Sequence, residues 1–268
     1  MIPVKDNIPT LRFPIVTVAL IVINIAVFVW QLTLSGTPGS STSPQISGLS
    51  QSDEITLEYG AIPYRLTHPG KGCGVSTQRI VCQGQSGYAG SRKLDSPPWW
   101  ATVFTSMFLH GGILHIAFNM LFLWIFGNNV EDSMGRPRFL AFYLLGGVVA
   151  AYTQALLTAS STVPAIGASG AIAGVLGGYL LLFPRARVLT LVLIILFVTV
   201  IEIPAAILLA IWFALQFLPA LGQVTTTAAG GESVAYWAHV GGFVFGLAAI
   251  KLFANRYGRK AVGPPGFA

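Results

Sequence analysis

The chain has 268 residues, of which 54% are hydrophobic and only 9% are charged, and it carries a formal net charge of +6. A soluble domain of this size needs a more charged surface, and a transmembrane β-barrel would show alternating segments of about 10 residues. The composition therefore predicts a polytopic α-helical membrane protein. The positive charge does not indicate nucleic-acid binding, because the basic residues cluster at the ends of apolar segments.

The first apolar segment predicts a membrane span over residues 15–34. It is too long for the apolar core of a typical signal peptide and no convincing cleavage site follows, so we expect it to be retained. Residues 35–98 form a long polar loop that contains both cysteines, Cys73 and Cys82. A disulfide is expected if this loop faces an oxidising compartment, and free thiols are the equal alternative. Neither alternative supports a metal site, which would need more ligands nearby.

Five further apolar segments follow this loop and complete a prediction of six spans within one membrane domain. Their predicted bounds are 103–127, 138–158, 169–184, 203–219 and 237–254. The apolar run Val188–Glu202, between the fourth and fifth spans, is expected to be interfacial or re-entrant. Counting it as a separate span would move the basic C-terminus to the opposite side from the other basic segments. The predicted fold is an all-α, six-transmembrane-helix bundle.

Short basic segments predict the orientation of these spans. They lie at the N-terminus, at Arg136 and Arg138, at Arg185 and Arg187, and after the last span. Six spans place all four segments on one side, and the positive-inside rule makes that side cytoplasmic. We therefore expect a multi-pass protein of the cell membrane with both termini in the cytoplasm and the long loop outside.

Two polar residues lie at matching depths in the predicted bundle. Ser169 stands between glycines at the outer start of the fourth span, and His239 stands at the outer start of the sixth. Ionisable groups within spans are costly and usually face the protein interior or a water-filled cavity. Small residues at four-residue spacing let two helices approach closely, although they would pack equally well in an inert protein. In the fourth span these small residues are Ala173 and Gly177 on the face of Ser169, with Gly170, Gly174 and Gly178 in the adjoining row. In the sixth span they are Gly242 and Gly246, below His239.

The second predicted span contains a further pair of polar residues, His115 and Asn119. Their spacing of four places both on one helical face, at an outer depth. With the backbone N–H of Ser169, they would form a donor cluster for a tetrahedral oxyanion. The alternative for this pair alone is an interhelical hydrogen bond. His110 lies off this face, where an interfacial or water-lining role is expected.

As a set, these motifs resemble those of the rhomboid family of intramembrane serine proteases. The set comprises Gly167-Ala168-Ser169-Gly170, His239 before a Gly-rich run, His115 with Asn119, and Gly127, Glu131 and Gly135 after the second span. The resemblance covers roughly residues 99–253 and follows the order of the family's motifs. It implies the six-helix bacterial form of the family.

The resemblance implies a Ser–His dyad that works without a carboxylate, a metal or an organic cofactor. Ser169 would attack the scissile carbonyl, and His239 would accept its proton and later donate it to the leaving amine. His115, Asn119 and the Ser169 N–H would stabilise the oxyanion. The implied substrates are transmembrane proteins, cleaved near the outer face of the lipid bilayer.

Two positions depart from the family pattern. The family often has a tyrosine four residues after the serine, stacked on the histidine, but this chain has Ala173 there. Tyr236 or Trp237 is the expected substitute. The family's Trp-Arg pair of the first outer loop is also absent, which concerns the anchoring of that loop and not the chemistry.

The positions of the acidic residues agree with a dyad that has no carboxylate as a third member. Glu131 and Asp132 lie at the cytoplasmic end, Glu202 has no clear route to His239, and Glu232 lies in the last outer loop.

Two other functions compete with the protease. A catalytically inactive rhomboid-like module could bind or chaperone membrane proteins, but it would have no need of both dyad residues. A transporter or channel would continue its polar residues towards the cytoplasmic side. The lower halves of the fourth and sixth spans contain Gly, Ala, Leu and Phe instead.

Overall fold

The computed structural model describes residues 1–35, 50–76, 79–194, 197–225 and 234–255. Most of them form helices, whose bounds in chain order are α1 (Ile15–Ser35), α2 (Gln51–Tyr59), α3 (Pro63–Thr67), α4 (Trp99–Thr105), α5 (Ile113–Phe122), α6 (Asn128–Met134), α7 (Arg136–Leu157), α8 (Ser169–Leu182), α9 (Ala205–Thr225) and α10 (Tyr236–Phe253). A π-helical stretch, Leu123–Gly127, joins α5 to α6. The strands are β1 (Ile2–Asp6), β2 (Cys73–Ser76), β3 (Arg79–Cys82), β4 (Arg92–Lys93), β5 (Arg187–Ile194) and β6 (Phe197–Pro204).

Five of the described helices are long and apolar enough to cross a membrane, namely α1, the continuous helix Ile113–Met134, α7, α9 and α10. The sixth helix of the bundle, α8, has 14 residues and spans about 21 Å, which is less than a hydrocarbon core of about 30 Å. Eleven of these 14 residues are buried, so α8 is the central helix. Large apolar side chains face outwards around it, including Leu156, Leu215 and Leu252. The prediction of an all-α polytopic membrane bundle is confirmed.

Glycines bring α8 and α10 into backbone contact. A Cβ added at Gly242 would collide with the carbonyl oxygen of Gly170, and one added at Gly246 would collide with that of Gly174. Only helices whose facing residues lack side chains can pack this closely. The contact begins in the first turn of α8, so it holds the outer ends of α8 and α10 together.

The second predicted span, residues 103–127, has different bounds in the structure. Residues 99–108 form the short helix α4 and a 3₁₀ turn, the chain is then extended at Leu109, and the long helix starts at Ile113. Two adjacent glycines, Gly111 and Gly112, favour this break because glycine is a poor helix former.

The same helix also continues beyond its predicted end at Gly127 and stops at Met134. Gly127 stays helical because it packs against α1, where an added Cβ would lie 3.4 Å from the side chain of Thr17. The helix ends at Gly135, whose φ of +83° is in the left-handed region that favours glycine.

The apolar run that was expected to be interfacial or re-entrant is a β-hairpin. Strands β5 and β6 are antiparallel, and β5 also pairs with the N-terminal strand β1, giving the order β1-β5-β6. Many Val, Ile and Thr residues in this run favour strands over helices. Helix α9 then starts at Ala205, directly after Pro204, and runs through Pro219 to Thr225, beyond its predicted end at 219.

Buried acidic residues bind the N-terminal segment at the end of the bundle that carries the β1-β5-β6 sheet. Glu131 accepts hydrogen bonds from the backbone N–H groups of Val16, at 3.1 Å, and Thr17, at 2.8 Å, so it caps the first turn of α1. Asp132 accepts a bond from the N–H of Leu11 at 2.6 Å. The predicted cytoplasmic carboxylates therefore serve the packing of the N-terminus.

The described part of the long loop forms a compact layer at the opposite end of the bundle. Strands β3-β2-β4 make a small antiparallel sheet in which Cys73 and Cys82 are directly opposed and disulfide-bonded, so the free-thiol alternative is wrong. Ala61 exchanges two backbone hydrogen bonds with Ala165, at 3.0 and 2.9 Å. The loop is thereby attached to the segment that leads into α8.

Candidate active site

Ser169 is the first residue of α8 and lies directly after a tight turn. The turn depends on Gly167, whose φ of +113° is in the left-handed region. The N–H of Gly167 donates to the carbonyl oxygen of Ser106 at 2.8 Å, which fixes the turn to the segment before α5. The side chain of Ser169 and the free backbone N–H groups of the first turn of α8 therefore lie next to the segment that joins α4 to α5.

His239 lies in the first turn of α10 with an exposed fraction of 8%. Its Nε2 is 2.8 Å from Oγ of Ser169, which is hydrogen-bonding distance. The two residues are 70 positions apart in the chain and belong to the two helices that the glycine contact joins. The structure therefore brings together the two residues that were predicted to form a dyad.

The other ring nitrogen of His239 has a partner that the sequence analysis missed. Oε1 of Gln216, on α9, lies 2.8 Å from Nδ1 of His239. The Trp212 ring, four residues earlier on α9, contacts the imidazole in a tilted arrangement, at a centroid distance of 6.0 Å and an interplanar angle of 38°. Tyr236, one of the two expected substitutes for the family's tyrosine, meets the imidazole edge-on at 6.4 Å.

The other expected substitute, Trp237, packs on Phe217 at a centroid distance of 6.3 Å. A signal for the missed contact was present in the sequence. Gln216 is a polar residue inside a predicted span, and such residues usually face the interior of the bundle.

His115 and Asn119 lie on α5 beside the turn before Ser169. A Cβ added at Gly167 would be 2.7 Å from Nε2 of His115 and 3.6 Å from Nδ2 of Asn119. Nδ1 of His115 accepts a hydrogen bond from the N–H of Gly111 at 3.4 Å, so its proton is on Nε2, which faces the turn. Nδ2 of Asn119 is buried and has no hydrogen-bond partner in the part of the chain that the structure describes. Both side chains thus present N–H groups near Ser169.

His110 is buried, with an exposed fraction of 2%, and does not lie at the surface. Its ring meets that of His115 at a centroid distance of 5.1 Å, and its backbone N–H donates to Oε1 of Gln31 on α1 at 3.1 Å. The expected position near the surface is therefore wrong. His110 lies between α1 and His115, both of its ring nitrogens are without a hydrogen-bond partner among the described residues, and the water-lining role stays a prediction.

Of the four acidic residues considered above, the three that the structure describes lie away from the dyad. Glu202 forms an ion pair with Arg187 across the hairpin, with an N–O distance of 3.3 Å. Glu131 and Asp132 bind the N-terminal segment. Glu232 lies outside the described residues.

A small cavity of about 40 Å³ opens beside Ser169. It is lined almost entirely by small residues, among them Ser106, Gly147, Ala150, Ala151, Gly170 and Ala238. A single water needs about 10 to 15 Å³ of such volume, so the cavity has room for a few waters or for one small side chain.

Comparison with known proteins identifies the family to which this arrangement belongs. The family model described as Rhomboid domain matches residues 97–256. The chain belongs to the rhomboid family. The matched segment contains both members of the Ser169–His239 pair and also His115 and Asn119.

Curated rhomboid relatives are similar to parts of the chain. Rhomboid protease GluP of Bacillus subtilis is 44% identical over 82 residues, which are 31% of this chain and 15% of that protein. Presenilin-associated rhomboid-like protein A, mitochondrial, of Danio rerio is 34% identical over 144 residues, 53% of this chain and 34% of that protein. Rhomboid protein 1, mitochondrial, of Saccharomyces cerevisiae is 30% identical over 154 residues, 54% of this chain and 40% of that protein. The chain thus covers less than half the length of each of these relatives.

Proposed function

We propose that the chain is an intramembrane serine endopeptidase that cleaves transmembrane proteins near the outer face of the membrane. The observation that carries this proposal is the 2.8 Å contact between Oγ of Ser169 and Nε2 of His239. An imidazole at this distance can accept the hydroxyl proton and activate the oxygen as a nucleophile.

The roles follow from the geometry of the neighbouring groups. Ser169 attacks the scissile carbonyl, His239 takes the proton, and the imidazolium then protonates the leaving amine. Nδ2 of Asn119, Nε2–H of His115 and the N–H of Ser169 are the donors for the oxyanion. The buried unpaired amide of Asn119 supports this role, since an unmade hydrogen bond in the interior costs free energy unless a ligand uses it.

The helical form of membrane substrates and the lining of the site support the proposed substrate class. A transmembrane helix hides its carbonyl groups in backbone hydrogen bonds, so cleavage requires a segment that unwinds easily. The cavity of about 40 Å³ next to Ser169 is lined mostly by glycine, alanine and serine, so it suits a small side chain such as that of alanine or serine. We therefore expect cleavage after or beside small residues near the outer end of a span.

The orientation is part of the same proposal. Strand β1, the β5-β6 hairpin and the capping acids Glu131 and Asp132 share the end of the bundle opposite Ser169. Lys5, Arg136 and Arg187 lie at this end, so the positive-inside rule places it in the cytoplasm of a cell-membrane protein. The disulfide-bonded layer then faces the outside, where disulfides persist.

The test combines covalent labelling with cleavage. A fluorophosphonate probe should label the purified protein in detergent, and the labelling should disappear in Ser169→Ala and in His239→Ala. Ser133→Ala is the matched control, because Ser133 is a buried serine at the opposite end of the bundle, where its Oγ donates to the carbonyl oxygen of Val130 at 2.7 Å. It should label like the wild type.

The second measurement uses a panel of transmembrane substrates in liposomes. The wild type and Ser133→Ala should cleave at least one substrate that has small residues near the outer end of its span, and the two dyad variants should not. Folded wild-type protein that is neither labelled nor active would contradict the proposal and would favour a catalytically inactive binding module.

A further inference from the structure

We propose that Gln216 is a positioning residue that holds His239 in the tautomer and orientation needed to activate Ser169. The inference rests on the proposed endopeptidase function and adds a third member to the Ser169–His239 pair. Gln216 does not touch the reacting atoms. It acts through the imidazole.

The hydrogen bonds on the two ring nitrogens determine where the proton of the imidazole lies. Oε1 of Gln216 can only accept, so at 2.8 Å it requires the proton on Nδ1 of His239. Nε2 is then unprotonated and can accept the hydroxyl proton of Ser169, also at 2.8 Å. In the other tautomer Nε2 carries the proton and cannot serve as a base. Gln216 therefore selects the productive tautomer.

An amide suits this position better than a carboxylate. His239 lies inside the predicted membrane region, where an ionised carboxylate without a cationic partner is costly. An amide oxygen orients the ring through a neutral hydrogen bond and carries no charge. Cys-His-Asn sites of papain-like proteases use an amide in the same place on an unrelated fold.

Two residues of α9 act on the ring from different directions. Trp212 and Gln216 are four residues apart and so share one helical face, which is turned towards α10. The Trp212 ring is tilted against the imidazole, and Gln216 binds Nδ1 at its edge. The family's tyrosine would have come from α8, but Ala173 leaves that position without a ring. The orienting groups of this chain come from α9 instead.

The test replaces Gln216 by residues of similar size. Gln216→Met keeps the length of the side chain but removes the acceptor, and Gln216→Glu keeps an acceptor oxygen. Gln154→Met is the matched comparison, because Oε1 of Gln154 binds the backbone N–H of Ala238, the neighbour of His239, at 3.2 Å and does not touch the imidazole. Both methionine variants remove one amide contact to the first turn of α10.

The direct readout is the ¹⁵N spectrum of histidine-labelled protein, with His239 assigned from its absence in His239→Ala. We expect the proton on Nδ1 in the wild type and in Gln154→Met, and a shift of the proton towards Nε2 in Gln216→Met. The kcat for a transmembrane substrate should fall about 10- to 100-fold in Gln216→Met with little change in KM. Gln216→Glu should keep the proton on Nδ1 and recover most of the lost rate.

The possible failures of the two proposals are distinguishable. An active wild type, together with a Gln216→Met variant that has the wild-type tautomer and rate, would overturn this inference and leave the endopeptidase standing. An inactive wild type would overturn the proposed function, and the ¹⁵N comparison would still decide the inference. An equal tautomer shift in Gln154→Met and Gln216→Met would assign the effect to the packing of α10 and would also overturn it.

Discussion

At the scale of single residues, Gly167 has little freedom to change, because two independent constraints act on it. Its backbone is in the left-handed region, and a Cβ there would be 2.7 Å from Nε2 of His115. We expect Gly167→Ala to displace His115 and to lower kcat/KM about 10- to 100-fold. Gly112→Ala is the control, because Gly112 has extended backbone with φ of 172° and nothing within 4 Å of an added Cβ. Cleavage assays on both variants check this, and equal activities would contradict it.

Asn119 offers a second test, in which activity and stability should separate. Replacement by leucine removes an oxyanion donor, and kcat/KM should fall roughly 100-fold. The thermal stability should stay equal or rise, because the unpaired buried Nδ2 is also removed.

Asn129→Leu is the comparison, since Nδ2 of Asn129 donates to Asp6 at 2.7 Å and to the carbonyl oxygen of Ile8 at 3.3 Å at the far end of the bundle. It should lose stability and keep the kcat/KM of its folded fraction. A loss of stability in Asn119→Leu as large as in Asn129→Leu would assign Asn119 a structural role. Melting curves in detergent and initial rates measure both quantities.

The candidate residues differ in how far the sequence could predict them. Ser169, His239, His115 and Asn119 stand out because each is a polar residue in an apolar segment with a recognisable spacing. Gln216 has only the first of these properties, and its partner is 23 residues away on another helix. The direction of its side chain depends on how α9 packs against α10, and a single sequence does not contain that information.

At the scale of elements, the contact between α8 and α10 determines the distance between Ser169 and His239. Gly246→Val would push a side chain into the carbonyl oxygen of Gly174, and we expect it to destabilise the bundle by about 2 kcal/mol or more. Gly222→Ala on α9 is the control, because nothing lies within 4 Å of its added Cβ. It should be neutral or stabilising by about 0.5 to 1 kcal/mol, through helix propensity. Unfolding by denaturant in mixed micelles measures the difference, and equal stabilities would show that the glycine contact tolerates a side chain.

Two elements have a form that the sequence did not predict, and one cause is common to both. Apolar content identifies membrane-depth segments but does not distinguish a helix from a strand or a continuous helix from a broken one. Residues 187–204 form a hairpin, which their β-branched residues favour and to which strand β1, far away in sequence, is added by pairing with β5. Gly127 was expected to end a helix, but it lies inside one, where an added Cβ would be 3.4 Å from the side chain of Thr17 on α1. In both elements the structure includes a neighbour that is distant in sequence.

At the scale of the whole molecule, the two ends of the bundle are stabilised in two different ways. The end that carries Ser169 is covered by the disulfide-bonded layer. The opposite end is held by the N-terminal segment, through sheet pairing and through buried polar contacts. The carboxylate of Asp6 is central there, because it accepts hydrogen bonds from the hydroxyl of Tyr179 and from Nδ2 of Asn129. The stability of this end should therefore depend on pH.

Burial raises the pKa of Asp6 from 3.8 to about 6, and the hydrogen bonds from Tyr179 and Asn129 offset part of this effect. The folded state therefore retains a proton between about pH 4 and pH 6 that the unfolded chain has released. The stability contribution of protonated Asp6 is fully present below pH 3.8 and is lost as the pH rises through 6, a change of roughly 3 kcal/mol. Asp6→Asn has no such titration. The wild type should lose stability relative to Asp6→Asn as the pH rises from about 4 to about 6, and the difference should be constant above about 7.

Thermal unfolding in detergent between pH 4 and pH 8 measures this difference, with Asp95→Asn as a control at an exposed carboxylate of the opposite end. If the melting temperatures of the wild type and Asp6→Asn changed in parallel with pH, water would reach Asp6 and the N-terminal strand would not be closed over it. A difference that grows up to pH 6 would show that β1 seals this end of the bundle. Helix α8 begins at Ser169 and ends beside the same sheet. Cleavage rates measured over the same pH range would then show whether a loss of stability at this end of the bundle changes the activity of the dyad.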